Sequence, residues 1–208
     1  MQSNGKTYSI KSIFGPTIQG EGSMTGTPCH FIRFAGCNMW DGRPETKAES
    51  KCPYCDTDFF GGEKLTAEGI LRQVNALGQV DWITLSGGEP ALQFDGALSR
   101  VLKGDGYRLA IETNGTHQIC GMVDHVTMSP KVPYDKLKFH WADDLKLLFP
   151  HPTLKPEDFV QIRATNFYLQ PIEDDNLKEN TRLAVEYCLR SKGRWKLSVQ
   201  IHKLIGLP

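Results

Sequence analysis

The most constraining feature of this sequence is the position of its polar and glycine-rich motifs, each of which follows a short apolar segment. Four of these motifs are SGGEP (86–90), ETNG (112–115), SPK (129–131) and QP (170–171). The intervening segments show helical periodicity, as in the helix that we expect to begin after Thr66. Alternating strands and helices predict a mostly parallel sheet, and the motifs predict a site at the carboxyl ends of its strands.

The length of the chain limits how this sheet can close. A complete (β/α)8 barrel takes about 250 residues, whereas this chain has 208. We therefore expect an α/β fold of one domain over residues 1–208, an incomplete, trimmed (β/α) barrel with about six parallel strands and fewer helices than a full barrel. The same reading predicts a loop over 15–22, a helix over 92–103 and a final strand over 196–202.

Charge and hydropathy indicate which class of partner we expect the protein to bind and in which cellular compartment we expect it to lie. The formal net charge is zero, which argues against nucleic acid and favours a small-molecule or protein substrate. No apolar run of about 18 residues and no signal-peptide pattern occur, so we expect no membrane contact and a cytoplasmic location. In a reducing compartment the six cysteines are expected to be metal ligands or free thiols. The expected free thiols are Cys29, Cys120 and Cys188.

Three other cysteines form a constellation with metal-ligand spacing. Cys37 and Cys52 flank 14 residues, and Cys52 and Cys55 flank two. Three thiolates can hold three irons of a 4Fe–4S cluster and leave the fourth iron open to an exogenous ligand. The alternatives are a structural zinc site with Cys29 or His30 as its fourth ligand and three thiols that bind no metal. The cysteines alone leave all three interpretations open.

The surrounding motifs resemble those of radical S-adenosylmethionine (SAM) enzymes. Cys52-Pro53-Tyr54-Cys55 is similar to the second half of the cluster motif of that superfamily, and the segment 87–90 is similar to its GGEP segment. The first cysteine gap is longer than the usual three residues, which indicates an insert at about 38–51. The resemblance implies that SAM contacts Tyr54, Gly88, Glu89, Glu112, Asn114, Ser129, Lys131 and Gln170.

Within that superfamily the chain resembles the 7-carboxy-7-deazaguanine synthases. The segments that carry the resemblance are QGEG (19–22), FIRFAGC (31–37), CDT (55–57), ETNGT (112–116) and HKLIGLP (202–208). The resemblance implies that a 5′-deoxyadenosyl radical removes hydrogen from 6-carboxy-5,6,7,8-tetrahydropterin. Ring contraction and loss of ammonia then give 7-carboxy-7-deazaguanine, a precursor of queuosine. It further implies Mg2+ at Thr57 and a homodimer. A flavodoxin or ferredoxin would suit a low-potential cluster as electron donor.

We expect four residues to bind the pterin: Gln19, Glu21, Arg33 and Pro208. An amide and a carboxylate suit the donor–acceptor edge of a pterin, and Arg33 suits a carboxylate. The terminal segment is expected to fold over the pocket, with the Pro208 carboxylate on the substrate. The alternatives are a structural salt bridge for Arg33 and a frayed tail for Pro208.

Two other functions are compatible with parts of this pattern. A radical SAM activase acting on a protein partner would share the cysteines and the SAM motifs but would not need QGEG or Thr57. A zinc-stabilised binding module would share only the cysteines.

Overall fold

In the computed structural model, which describes residues 5–208, one sheet runs through the whole protein. Its nine strands are β1 (Thr7–Ile18), β2 (Pro28–Phe34), β3 (Glu63–Thr66), β4 (Trp82–Gly87), β5 (Arg108–Thr113), β6 (His125–Met128), β7 (Trp141–Phe149), β8 (Arg163–Pro171) and β9 (Trp195–Leu197). The strand order is β3-β1-β2-β4-β5-β6-β7-β8-β9.

Seven neighbouring strands of this sheet, from β2 to β9, are parallel. The strands β1 and β3 extend it in antiparallel fashion at one edge. Over residues 5–208 the two edge strands, β3 and β9, do not pair with each other, so the sheet stays open. The predicted trimmed barrel is therefore confirmed as an α/β fold with few helices, and it has seven parallel strands rather than about six.

Four α-helices accompany the sheet: α1 (Ala67–Asn75), α2 (Gly96–Gly104), α3 (Leu177–Arg190) and α4 (Ile201–Leu204). The hydroxyl of Thr66 caps α1 by accepting from the Gly69 N–H, as predicted. The helix predicted over 92–103 begins later, because the Asp95 carboxylate caps α2 by accepting from two backbone N–H groups. Across residues 5–208, no helix is long and apolar enough to span a bilayer.

Successive side chains along each strand point to opposite faces of the sheet, so one face contributes to the hydrophobic core and the other lines a cavity. Ile32 and Phe34 of β2 are fully buried in the hydrophobic core, together with apolar residues of α1 and α2. Arg33 lies between them in sequence and lines a cavity on the opposite face. The strand β7 repeats this arrangement, with Leu145 and Leu147 in the core and Lys146 lining the cavity. The face of the sheet away from the main core therefore supplies the polar side chains of the site.

The predicted loop over 15–22 is wrong in its first half. The strand β1 continues to Ile18, with Thr17 opposite Cys29 and Ile18 opposite Pro28. The register shifts between Phe14 and Thr17, so the glycine and proline at 15 and 16 produce an irregularity in the ladder rather than its end.

The predicted final strand over 196–202 is also wrong beyond Leu197. The chain leaves the sheet at Ser198, whose hydroxyl accepts from the Gly22 N–H and donates to the side-chain amide oxygen (Oε1) of Gln170. These contacts turn the backbone away from the edge of the sheet. The helix α4 follows, where the sequence predicted extended chain.

The end of β4 packs directly against the start of the cysteine loop. A Cβ atom added to Gly88 would lie 1.9 Å from the Gly36 carbonyl oxygen, a distance that the backbone cannot accommodate without moving. We expect Gly88→Ala to lower the free energy of unfolding by about 3 kcal/mol and Tm by roughly 6–12 °C, measured by calorimetry.

The matched control for this substitution is Gly104→Ala. Gly104 ends α2, and a Cβ atom added there meets nothing within 4 Å. That variant should be unchanged or stabilised by about 0.5 kcal/mol. Equal melting temperatures for the two variants would contradict the proposed backbone clash.

Candidate active site

A cavity of about 350 Å3 opens at the carboxyl ends of the parallel strands. Every site residue that the sequence predicted contributes to its wall. These residues are Gln19, Glu21, Arg33, Cys37, Cys52, Tyr54, Cys55, Thr57, Gly88, Glu89, Glu112, Asn114, Ser129, Lys131, Gln170 and Pro208. Segments far apart in sequence meet here because parallel strands present their carboxyl ends at the same edge of the sheet.

The insert between the first two cysteines closes on itself. The Lys51 N–H donates to the Met39 carbonyl oxygen at 3.1 Å, so the chain returns to the point from which it left. A short helical turn at Pro44–Thr46 lies within the excursion, and the Trp40 ring packs against the Phe59 ring at 5.3 Å. The long spacing therefore does not separate the cysteines, and all three line the cavity.

The thiols of Cys52 and Cys55 each shift the pKa of the other. The hydrogen bond between the Cys52 and Cys55 thiols and the charge of Lys131 hold the pKa of Cys52 at about 7, although burial opposes them. The same hydrogen bond and burial raise the pKa of Cys55, and burial raises that of Cys37. Lys131 thus lies close enough to favour a thiolate in the cysteine loop.

Three thiols suit an iron–sulfur cluster, and neither proposed fourth ligand of a zinc site lies with them in the cavity wall. In the part of the chain that the structure describes, no three His, Cys, Asp or Glu side chains converge as a site for one metal ion. A cluster binds each thiolate on a different iron, so its ligands need not converge on one atom. The two residues that could complete a zinc site do not line the cavity: Cys29 is buried within β2, and His30 bonds the Gly78 carbonyl oxygen.

The carboxylate of Glu89 joins the ends of two strands. It is 1% exposed and accepts from the Thr113 hydroxyl at 2.7 Å and from the backbone N–H groups of Asn114 and Ala91 at 2.7 and 2.9 Å. Burial raises the pKa of Glu89, and these hydrogen bonds oppose the rise. These three hydrogen bonds hold the motifs after β4 and β5 in register.

Hydrogen bonds also fix Glu112, in the motif after β5, and Lys131, in the motif after β6. The Glu112 carboxylate accepts from the Gln19 amide and from the Ser86 hydroxyl, both at 3.0 Å, and burial raises its pKa. The Lys131 ammonium donates to the hydroxyl and to the carbonyl oxygen of Ser129, at 2.5 and 3.1 Å. Both groups face the cavity from neighbouring strand ends.

Glu21 is the centre of a buried polar group that the sequence only partly predicted. Its Oε1 accepts from the Gln170 amide at 3.1 Å and from the Gln200 amide at 2.8 Å, and its Oε2 pairs with the Lys146 ammonium. Burial lowers the pKa of Lys146 to about 8. Sequence reasoning missed Lys146 and Gln200, although a lysine between two leucines, Leu145 and Leu147, was a signal for the first.

Arg33 has no ion-pair partner among residues 5–208. Its guanidinium lies over the rings of Phe14 and Phe31, at 5.2 and 5.7 Å from their centroids, and those rings stack at 5.2 Å. The structure therefore does not contain the salt bridge that was the alternative for this residue. A guanidinium held by aromatic rings at a cavity keeps its hydrogen-bond donors available for an anion.

The C-terminal segment is joined to the cysteine loop. Asp56, between Cys55 and Thr57, accepts from the Gln200 amide at 3.0 Å and from the Lys203 ammonium at 2.6 Å. Burial raises the pKa of Asp56, but these two donors outweigh it and hold the pKa below its usual range. Further along the segment, His202, Leu207 and Pro208 line the cavity.

No family model matches the chain, but relatives do over almost its full length. It is 42% identical to the 7-carboxy-7-deazaguanine synthase of Caulobacter vibrioides, with 97% of this chain and 100% of the relative aligned. It is 38% identical to the 7-carboxy-7-deazaguanine synthase of Bradyrhizobium diazoefficiens, covering 97% and 99%. The crystal structure of QueE from Escherichia coli superimposes with a TM-score of 0.70 at 25% identity, covering 93% of this chain and 94% of that one.

Proposed function

The chain belongs to the family of 7-carboxy-7-deazaguanine synthases, and we propose that it converts 6-carboxy-5,6,7,8-tetrahydropterin to 7-carboxy-7-deazaguanine with loss of ammonia. The observation that carries the proposal is that one cavity contains both the three thiols and a carboxylate–guanidinium set suited to a carboxypterin. An activase would have no use for Glu21 and Arg33 as pterin-binding groups, and the relatives are synthases.

Cys37, Cys52 and Cys55 would hold a 4Fe–4S cluster through three of its irons. When bound, the cluster and SAM supply the radical that removes hydrogen from the substrate. The closed insert over 38–51 supports this assignment because it returns Cys52 to the cavity. Lys131 supports it because a nearby cation favours the thiolate form that binds iron.

The motifs after β4, β5, β6 and β8 would bind SAM. Glu89 holds the backbone around Gly88 so that carbonyl groups can accept from the amino group of SAM, and Ser129 and Lys131 suit its carboxylate. Tyr54 and Gln170 would lie near the nucleoside. The other residues proposed for this site are Glu112 and Asn114.

Gln19, Glu21, Arg33 and Pro208 would bind the pterin. Glu21 accepts from a ring N–H through Oε2, and Arg33 takes the 6-carboxylate through parallel hydrogen bonds. Thr57 would ligate Mg2+ through its hydroxyl, with substrate and water completing the coordination shell.

We further propose that the protein works as a single domain and as a homodimer, with a flavodoxin or ferredoxin as its electron donor. A low-potential donor suits the range of potentials that such clusters span. The substrate is a small molecule, in keeping with the size of the cavity.

The proposed function is tested by anaerobic turnover. Protein reconstituted with iron and sulfide is incubated with SAM, Mg2+, a reductant and the carboxytetrahydropterin, and products are identified by chromatography and mass spectrometry. We expect 7-carboxy-7-deazaguanine and ammonia in equal amounts, and neither product without SAM. A colourless protein with stoichiometric zinc, or a cluster-loaded protein that leaves the pterin unchanged, would refute the proposal.

Arg33→Met should raise KM for the pterin about 30-fold and change kcat little, because it removes two charge-assisted hydrogen bonds to the bound carboxylate. Steady-state kinetics at saturating SAM measure both constants. Arg108→Met is the matched control: Arg108 lies over the Trp82 ring at 4.0 Å but does not line the cavity. A KM increase of equal size in both variants would contradict the role of Arg33.

A further inference from the structure

Lys146 is a charged residue in the middle of an otherwise apolar strand. Its neighbours in β7, Leu145 and Leu147, are fully buried in the core, and its own side chain is 7% exposed. The ammonium lies on the cavity wall. Burying a cation costs free energy unless hydrogen bonds replace the water that it loses, so its acceptors determine its role.

The protein supplies only one of those acceptors. An ammonium has three N–H donors, and among residues 5–208 the Lys146 ammonium bonds only Oε2 of Glu21. Lys131, on the same wall, bonds two oxygens of Ser129. Two N–H groups of the Lys146 ammonium therefore have no acceptor among residues 5–208. They are available to a ligand in the adjacent cavity.

The two oxygens of the Glu21 carboxylate have different partners, which fixes the orientation of the ion pair between Glu21 and Lys146. Two amides, from Gln170 and Gln200, hold Oε1 of Glu21, and the ammonium holds Oε2. Other ionisable groups also line this cavity, among them Glu112 from β5, Arg33 from β2 and His202 from the C-terminal segment. Of these groups, only Lys146 pairs with Glu21 as an ion.

We propose that Lys146 determines substrate specificity by donating to the 4-oxo oxygen of the pterin while Oε2 of Glu21 accepts from the neighbouring ring N–H. This inference rests on the proposed function. The 4-oxo edge presents an N–H donor beside an oxygen acceptor, and a carboxylate oxygen beside an ammonium is complementary to that pair. A site built for a buried hydrogen bond rejects an analogue that cannot form it.

A simpler role predicts a different result. If Lys146 only neutralised Glu21, its removal would weaken all pterins alike. If it binds the 4-oxo group, its removal should weaken 4-oxo ligands and spare ligands that lack this oxygen but keep the ring N–H. The ratio of the two affinities separates these roles, because loss of general stability changes both affinities together.

The test compares 6-carboxypterin with 2-amino-3,4-dihydropteridine-6-carboxylate, which lacks the 4-oxo oxygen but keeps the N3–H and the 2-amino group, as competitive inhibitors of cluster-loaded protein. We expect the unsubstituted protein to favour the 4-oxo ligand by about 30-fold, as for one hydrogen bond to a charged group. Lys146→Met should reduce that preference below about threefold and raise KM for the substrate about 30-fold with little change in kcat. Lys146→Arg, which keeps the charge and the donors, should retain most of the preference.

Lys103→Met is the control for losing an ion-paired lysine. Lys103 pairs with Asp124 at 2.6 Å and does not line the cavity, so the preference should be unchanged. Iron content and SAM binding, measured on each variant, show whether the site remains assembled. An unchanged preference in Lys146→Met would overturn the inference.

Product formation by the unsubstituted protein tests the proposed function separately. If that protein makes no deazaguanine but loses its 4-oxo preference in Lys146→Met, the assignment of Lys146 stands and the reaction is wrong. If it makes deazaguanine and Lys146→Met keeps the preference, the reaction stands and the role of Lys146 is wrong. A protein that binds neither pterin overturns both.

Discussion

Cys37→Ala, Cys52→Ala and Cys55→Ala should each abolish product formation, to below about one thousandth of the rate of the unsubstituted protein. Each substitution removes the ligand of one iron, and a cluster with only two protein thiolates is not retained. Iron and sulfide analysis after anaerobic reconstitution should show well under the roughly four irons per chain of a complete cluster. The visible absorption of the cluster should fall in parallel.

The three other cysteines provide matched controls for these variants. Cys29 is buried in β2, Cys188 is half-buried and Cys120 is exposed, and none of them lines the cavity. Cys29→Ser, Cys120→Ser and Cys188→Ser should therefore keep both iron content and turnover. Loss of the cluster in one of these controls, with retention in one of the alanine variants, would show that the ligand assignment is wrong.

The location of the site could be predicted from sequence because it depends on topology more than on detail. Motifs such as SGGEP and ETNG follow apolar segments, and strands that run parallel bring their carboxyl ends together. The location of the motifs does not depend on the exact residues at which each strand begins and ends. An error of a few residues, as for the start of α2, leaves the motifs at the same edge of the sheet.

The parts that could not be predicted depend on contacts between distant segments. The chain after Leu197 has an apolar character typical of a strand, but hydrogen bonds between Ser198 and two remote residues, Gly22 and Gln170, turn it out of the sheet. No local signal in the sequence reports such contacts. The role of Gln200 as a donor to Glu21 is hidden for the same reason.

Lys146 is an intermediate case. A lysine within the segment Leu145–Phe149 conflicts with burial, and such conflicts between local sequence and fold are typical of functional positions. The alternation of β7 placed Lys146 opposite the core side chains, which was readable in principle. What the sequence could not supply was the partner, because Glu21 lies 125 residues away.

The C-terminal segment should be required for turnover but not for the cluster. Gln200 and Lys203 attach it to Asp56, and a Cβ atom on Gly20 would overlap the His202 ring, so the segment is anchored before residue 204. Deleting Leu207 and Pro208 removes two residues of the cavity wall and leaves these anchors in place. We expect kcat/KM for the pterin to fall about 100-fold, with iron content and SAM binding unchanged.

Leu204→Gln and Ile205→Gln are the controls for that deletion, because both side chains are exposed, at 78% and 56%, and neither lines the cavity. They lie in the same segment and should keep full activity, so a deletion effect could not be attributed to a general disturbance of the terminus. Steady-state kinetics show whether Leu207 and Pro208 act as part of the cavity wall or belong to a frayed tail. A frayed tail makes no lasting contact with substrate. Unchanged kcat/KM after the deletion would therefore show that the segment only lies on the protein surface, and that the proposed contact of Pro208 with the pterin is wrong.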